Sequence, residues 1–163
     1  MKWSLIVVVL GIGWIAGVLA GQSKKEATGG MPRLYRVILP VSDIAKAEKF
    51  YAELLGQPGR RVSPGRHYFD CGEVILALVD PMADSDERAA RPNQDYIYFA
   101  VADLGEYFRR AERLGGLSQE TGDGSLPMGK IAKRPWGEVS FYMNDPFGNP
   151  LCFVDQKTVF TGR

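Results

Sequence analysis

The apolar positions of this chain change period several times, and each change marks an element. Tyr35 to Val41 is rich in β-branched and aromatic residues and reads as a strand. Ser42 and Asp43 follow with side-chain oxygens suited to a helix N-cap, after which Ala47, Phe50, Tyr51, Leu54 and Leu55 recur at spacings of three and four. That stripe predicts a helix packed on a sheet and closed by Gly56 in the left-handed conformation. Gly65 to Asp70 and Glu73 to Asp80 read as strands. The order then returns. Tyr96 to Val101 is a strand, Asp103 caps a helix with Glu106 at capping-box spacing, and Leu104, Tyr107, Phe108, Ala111 and Leu114 form its stripe before Gly115-Gly116 stops it. Leu117 to Lys130 carries glycines and Pro127 and predicts a loop before a strand through Ile131.

The last strand pair, Ser140 to Asp155, is the clearest local signal. Two apolar runs flank Asp145-Pro146-Phe147-Gly148, in which Asp can bond the backbone ahead of it, Pro pre-sets φ and Gly tolerates positive φ. This predicts a β-hairpin. Pro150 cannot donate to a ladder, so it belongs at the start of the second strand or on an open edge.

The two halves are one unit written twice. Val41, Asp43, Leu54 and Gly56 match Val101, Asp103, Leu114 and Gly116, each sixty positions later, and Ala77-Leu78-Val79-Asp80 matches Cys152-Phe153-Val154-Asp155. The predicted class is α+β, with a module over 31–80, a polar connector over 81–93 and a second module over 94–157, followed by a tail over 158–163. Two curved half-sheets facing each other would enclose a cleft for a small molecule.

The first residues are of another composition. Leu5 to Ala20 is apolar, broken only by small glycines, with Lys2 ahead and Lys24-Lys25 behind. Residues 1–21 therefore read as a membrane anchor spanning 3–21, or as a signal peptide cleaved after Val18-Leu19-Ala20; 22–30 is a polar, glycine-containing linker. Lys24, Lys25, Arg33 and Arg36 would hold the domain on the cytoplasmic side of an anchor, whereas a cleaved signal would export it. The side stays open.

Composition narrows the class further. A 45% hydrophobic and 24% charged chain of 163 residues suits one ordinary domain, and a net charge of +1 with no long basic run gives no footing for a nucleic-acid partner. Cys71 and Cys152 are too few for a disulfide scaffold and are expected as buried free thiols, with pairing the alternative if the domain is exported.

Four stretches together resemble the vicinal oxygen chelate superfamily, the glyoxalase, bleomycin-resistance and extradiol-dioxygenase group. They are Arg36-Val37-Ile38-Leu39-Pro40-Val41-Ser42-Asp43, Phe50-Tyr51-Ala52-Glu53-Leu54-Leu55-Gly56, Tyr98-Phe99-Ala100-Val101-Ala102-Asp103 and Asn144-Asp145-Pro146-Phe147-Gly148-Asn149-Pro150. The resemblance implies paired βαβββ modules forming an open, cavity-lined half-barrel sheet. It also implies that the metal-binding members' ligand positions fall here on Arg36, Ala77 (Leu76 if the register slips by one), Tyr96 and Cys152. That set is unsuited to a divalent ion: a guanidinium cannot ligate, a methyl has no donor, a phenol is neutral at pH 7, and one thiol makes no site.

The remaining chemistry is sparse. His67, the only histidine, and Cys152 are the candidates for catalysis, each with a plainer reading as a rim residue and a strand filler. Arg36 would clamp an anion or pair with Glu138 or Glu73. Arg134, Trp136 and Glu138 offer a flat wall between opposite charges at the entry to the last hairpin. With Tyr96 and Cys152 they make the ligand-binding set. The expectation is a membrane-tethered, metal-free domain that binds a small organic molecule, anionic ones included, in the cleft between its modules, with a homodimer allowed. No cofactor is expected, a divalent metal being the lesser alternative. The rival function is an enzyme of the same superfamily, a lyase of the lactoylglutathione type, an isomerase or a dioxygenase, with a non-standard active site.

Overall fold

The computed structural model describes residues 32–122 and 126–162, which build two βαβββ modules. The first holds β1 (Arg36–Pro40), α1 (Ile44–Leu55), β2 (Arg60–Ser63), β3 (Arg66–Cys71) and β4 (Val74–Val79). The second holds β5 (Ile97–Val101), α2 (Leu104–Arg113), β6 (Ala132–Lys133), β7 (Val139–Asn144) and β8 (Pro150–Asp155). Each module is a four-stranded mixed sheet, ordered β1-β4-β3-β2 and β5-β8-β7-β6. In each, the first strand lies parallel to the last, as a helical crossover requires, and the other pairings are antiparallel. The fold is α+β, as predicted. The span or signal predicted over 1–21 and the linker over 22–30 lie outside the described residues, among which no helix is long and apolar enough to cross a membrane.

Local chemistry sets the element ends. Asp43 accepts a hydrogen bond from the Lys46 amide at 2.9 Å, and α1 closes on Gly56 at φ 70°, a conformation that only glycine adopts without strain. Asp103 does the same for α2 through the Glu106 amide. The predicted capping box is only half made, because the Glu106 carboxylate turns outward to Arg109 and Arg110. In the last hairpin the Gly148 amide donates to the Asp145 carbonyl and Gly148 sits at φ 90°; Pro150 opens β8, where no ladder donor is needed. The strand β2, implied by the βαβββ order but not marked by the periodicity, and an unexpected short 3₁₀ turn over Met82–Asp84 in the connector complete the first half.

Strand alternation sends two sets of side chains in opposite directions. Leu39, Phe69, Leu76 and Leu78 of the first sheet, with Phe141, Met143, Leu151 and Phe153 of the second, join α1 and α2 residues in a single core. Phe153 is stacked there on Phe99, Phe141 and Tyr107 at centroid distances of 5.1, 5.3 and 5.2 Å. Polar contacts tie the modules on this same side. The Asp145 carboxylate, 5% exposed, accepts from Tyr51 of α1, from the Phe147 and Asn149 amides and from the Asn149 side chain. Asn149 also donates to the Pro40 carbonyl at 2.8 Å, and Arg110 of α2 donates to the Leu54 carbonyl at the end of α1.

The two modules therefore meet through their helix-covered faces. No ladder joins the two sheets among the described residues. The expected cleft between facing half-sheets is not formed by this shared core, which lies on the helix-covered sides. Leucine and phenylalanine on the helix side supply the common core, and Ile38 and Tyr98 are left 54% and 55% exposed on the opposite faces.

Candidate functional site

The parity of the strands decides which residues share a face. In the first sheet Ile38 pairs with Ala77 and Arg36 with Ile75, so Arg36 and Ala77 lie on the outward face and Leu76 points into the core. In the second sheet Tyr98, Cys152 and Tyr142 lie on one rung, again outward. The expected ligand-binding residues consequently split. Tyr96, Arg134, Trp136, Glu138 and Cys152 gather on the second sheet's outward side, and Arg36 is on the first sheet.

On the second sheet, Tyr142, Cys152 and Val154 form a small buried cluster, with Tyr96 and Met128 packed against it. The tyrosine rings meet edge to face, Tyr96 with Tyr142 at 4.8 Å and Tyr98 with Tyr142 at 6.5 Å. Arg134 is 3% exposed and underpins this face. Its guanidinium lies 4.8 Å from the Tyr142 ring, and it donates to the Ser140 side chain and to the carbonyls of Met128, Lys130 and Ser140. With those bonds made, Arg134 is a support for the aromatic floor rather than an open clamp.

Trp136 stands at the rim, 46% exposed, on a turn in which the Gly137 amide donates to the Arg134 carbonyl and Gly137 takes φ 104°. Its indole N–H donates to Glu138 at 2.8 Å. Glu138 is 8% exposed, and its other oxygen accepts from the Phe160 amide at 3.0 Å; among the described residues no Lys or Arg forms a salt bridge with it. These groups border a cavity of about 430 Å³ whose other walls are Tyr98, Ala100, Val154, Val159 and Phe160. Val159 and Phe160 come from the stretch read as a tail. The Thr158 amide donates to the Asp155 carbonyl and its hydroxyl accepts from the Val139 amide, so the chain turns back over β7. Their signal in the sequence was a short apolar run, Val159-Phe160, just past the last strand.

Cys152 is fully buried, and burial raises its thiol to about 11 against hydrogen bonding from Tyr142 and Ser140. At neutral pH it is protonated and a poor nucleophile. Burial also raises the Tyr142 and Tyr96 phenols, with Cys152 and Glu120 respectively adding to the effect. Both stay neutral.

His67 is placed on the other side altogether. It belongs to the core-facing set of β3, 2% exposed, with its ring 5.0 Å from Phe69. Its Nε2 lies 2.9 Å from the Pro58 carbonyl, which can only accept, so Nε2 carries the proton and Nδ1 faces Glu48 at 3.5 Å. It is a core histidine, not a rim residue and not a member of the outward face.

Arg36 keeps its separate character. Its guanidinium lies 5.1 Å from the Tyr35 ring and 5.0 Å from the Tyr68 ring, and its buried Nε has no hydrogen-bond partner among the described residues. Neither Glu73 nor Glu138 pairs with it there, which corrects the ion-pair alternative.

The donor set at the positions that the resemblance assigns to metal ligands does not fit a divalent ion. Arg36 is a permanent cation, Ala77 has no donor atom, Tyr96 is held neutral, and Cys152 is held as a thiol. Nor do three or more His, Cys, Asp or Glu side chains gather elsewhere among the described residues.

A second cavity, of about 540 Å³, does lie between the two modules, but on the helix side. None of the expected ligand-binding residues lines it.

Comparison with known proteins agrees with the fold. The family model described as the Glyoxalase/Bleomycin resistance protein/Dioxygenase superfamily matches residues 33–153. Among solved structures, a lactoylglutathione lyase from Agrobacterium tumefaciens is 25% identical, with a TM-score of 0.58 over 78% of this chain and 96% of that one. A glyoxalase/bleomycin resistance protein from Albidiferax ferrireducens T118 is 20% identical, with a TM-score of 0.57 over 75% and 98%. A bleomycin-binding protein complexed with bleomycin is 20% identical, with a TM-score of 0.52 over 77% and 98%. No curated protein sequence matches. On the strength of a match running through both modules, the chain belongs to the glyoxalase/bleomycin resistance protein/dioxygenase superfamily.

Proposed function

We propose that this domain is a metal-free binding module that holds a small aromatic molecule on the outward face of its second module. The observation that carries the reading is the cavity of about 430 Å³, which has aromatic walls in Tyr98, Trp136 and Phe160 and one buried carboxylate, Glu138. Such sites bind through apolar area and take their orientation from a few polar groups. The polar group here is an acid. The ligand it suits carries a positive charge or an N–H donor, not the anion that Arg36 suggested, because Arg36 lies on the other sheet. The bleomycin-binding relative, which was solved with an organic molecule bound, supports the class and not the compound.

Berberine, a planar aromatic cation, is a suitable probe. Titrated into the full chain, its fluorescence should rise saturably. Glu138→Gln should weaken binding about tenfold and Trp136→Ala by a similar factor. Equal affinities in wild type and both variants would reject the site.

The same reading tethers the domain to a membrane through residues 3–21, on the support of their length and apolarity. Recovery of the protein from the alkaline-carbonate supernatant, with the segment still attached, would oppose it. It also takes the protein as a homodimer. Ile38 of β1 and Tyr98 of β5 are more than half exposed on outward faces that a second copy would cover. Sedimentation at micromolar concentration should give the dimer mass, and a monomer would remove this part.

A further inference from the structure

We infer that the chain has a second ligand site, for an uncharged apolar molecule, in the cavity of about 540 Å³ between the modules on the helix side of the sheets. Its walls are Val37, Leu55 and Val74 of the first module and Ile97, Phe99 and Tyr107 of the second. All six are only half-buried, although all but Val74 pack against the common core. The core is incomplete at this point, and the gap lies in the usual volume range for a small-molecule pocket.

The chemistry of the lining sets the class of ligand. Among the described residues, no lysine, arginine or histidine lines the walls. The carboxylate among them, Asp70, is largely exposed at the mouth and already bound to Arg60 at 2.6 Å. Gln57 donates to the Asp70 carbonyl. A charged ligand would enter with no counter-charge, whereas a hydrocarbon-rich neutral one would lose only water. Tyr98 and Ala100 of β5 also border the outward cavity, so one strand forms a wall of both sites. The two differ in polarity: the outward one has an acid, and this one has no unpaired charge among the described residues.

Cys71 lines the cavity half-buried and serves as a reporter, its thiol raised by burial. In the full chain carrying Cys152→Ala, the rate of Cys71 alkylation by iodoacetamide is measured at pH 9 with increasing toluene. A saturable slowing of threefold or more is expected. Val37→Phe, which fills the cavity, should abolish the toluene dependence, and Leu55→Phe serves if Val37→Phe does not fold by circular dichroism. Trp136→Ala, in the outward site, should leave it intact, which separates this inference from the berberine reading. A rate indifferent to toluene would overturn the proposal, as would an undiminished toluene effect in the filled variants.

Discussion

Asp145 is the residue on which most of the local geometry converges. Two backbone amides, an amide side chain and the Tyr51 hydroxyl all donate to one buried carboxylate, which fixes the last turn and holds it to α1. Asp145→Ala would leave those donors unpaired inside the protein and should lower stability by about 3–4 kcal/mol in urea unfolding. Tyr51→Phe removes one neutral donor and should lower it by about 1 kcal/mol. Similar losses for both would show that the carboxylate is not the hub. Cys152 gives a second test, through pH. Its folded thiol sits near 11 against an ordinary 9.0, so the neutral form is the one the fold favours. The stabilisation is complete below pH 9 and is lost as pH rises towards 11, and the raised phenols of Tyr142 and Tyr51 act in the same direction. Melting temperature should therefore fall between pH 9 and 11, and Cys152→Ala should flatten part of that fall. A profile identical in the variant would contradict the assignment.

At the scale of elements, what could be read from the sequence was whatever local chemistry decides. The caps at Asp43 and Asp103, the stop at Gly56 and the Asp145–Gly148 turn each rest on interactions within a few residues, and each formed. The repeat offset slips by one at the end of α2, where Gly115 and not Gly116 takes the left-handed conformation, at φ 67°. The strand β2 escaped because its residues, Arg60 to Ser63, are an exposed edge with no apolar alternation to betray it. Pro150, by contrast, announced its own place, since it could stand in an interior strand only at the start.

Across the whole molecule the sequence was silent on the point that matters most for function. Both faces of each sheet carry apolar side chains, so Ile38 and Tyr98 look as much like core as Leu39 and Phe99 do, and alternation alone cannot say which face meets the other module. The sequence reading put the ligand in a shared cleft with Arg36. Arg36 lies on the first sheet and the other five on the second, where only Trp136 and Glu138 among them border the cavity that the chain past β8 completes; the proposed reading accordingly takes a cation or donor as ligand in place of an anion. The positions that the resemblance assigns to metal ligands hold Arg36, Ala77, Tyr96 and Cys152, a donor set unsuited to a divalent ion, and the proposed reading is metal-free on that account. The most direct measurement is therefore berberine binding to the full chain, followed by fluorescence, before and after exhaustive chelation and again with added Zn²⁺, Ni²⁺, Mn²⁺ or Fe²⁺. Binding that saturates at one molecule per chain and is the same in all conditions is the predicted result; binding that vanishes with the chelator and returns with an added ion would contradict the account.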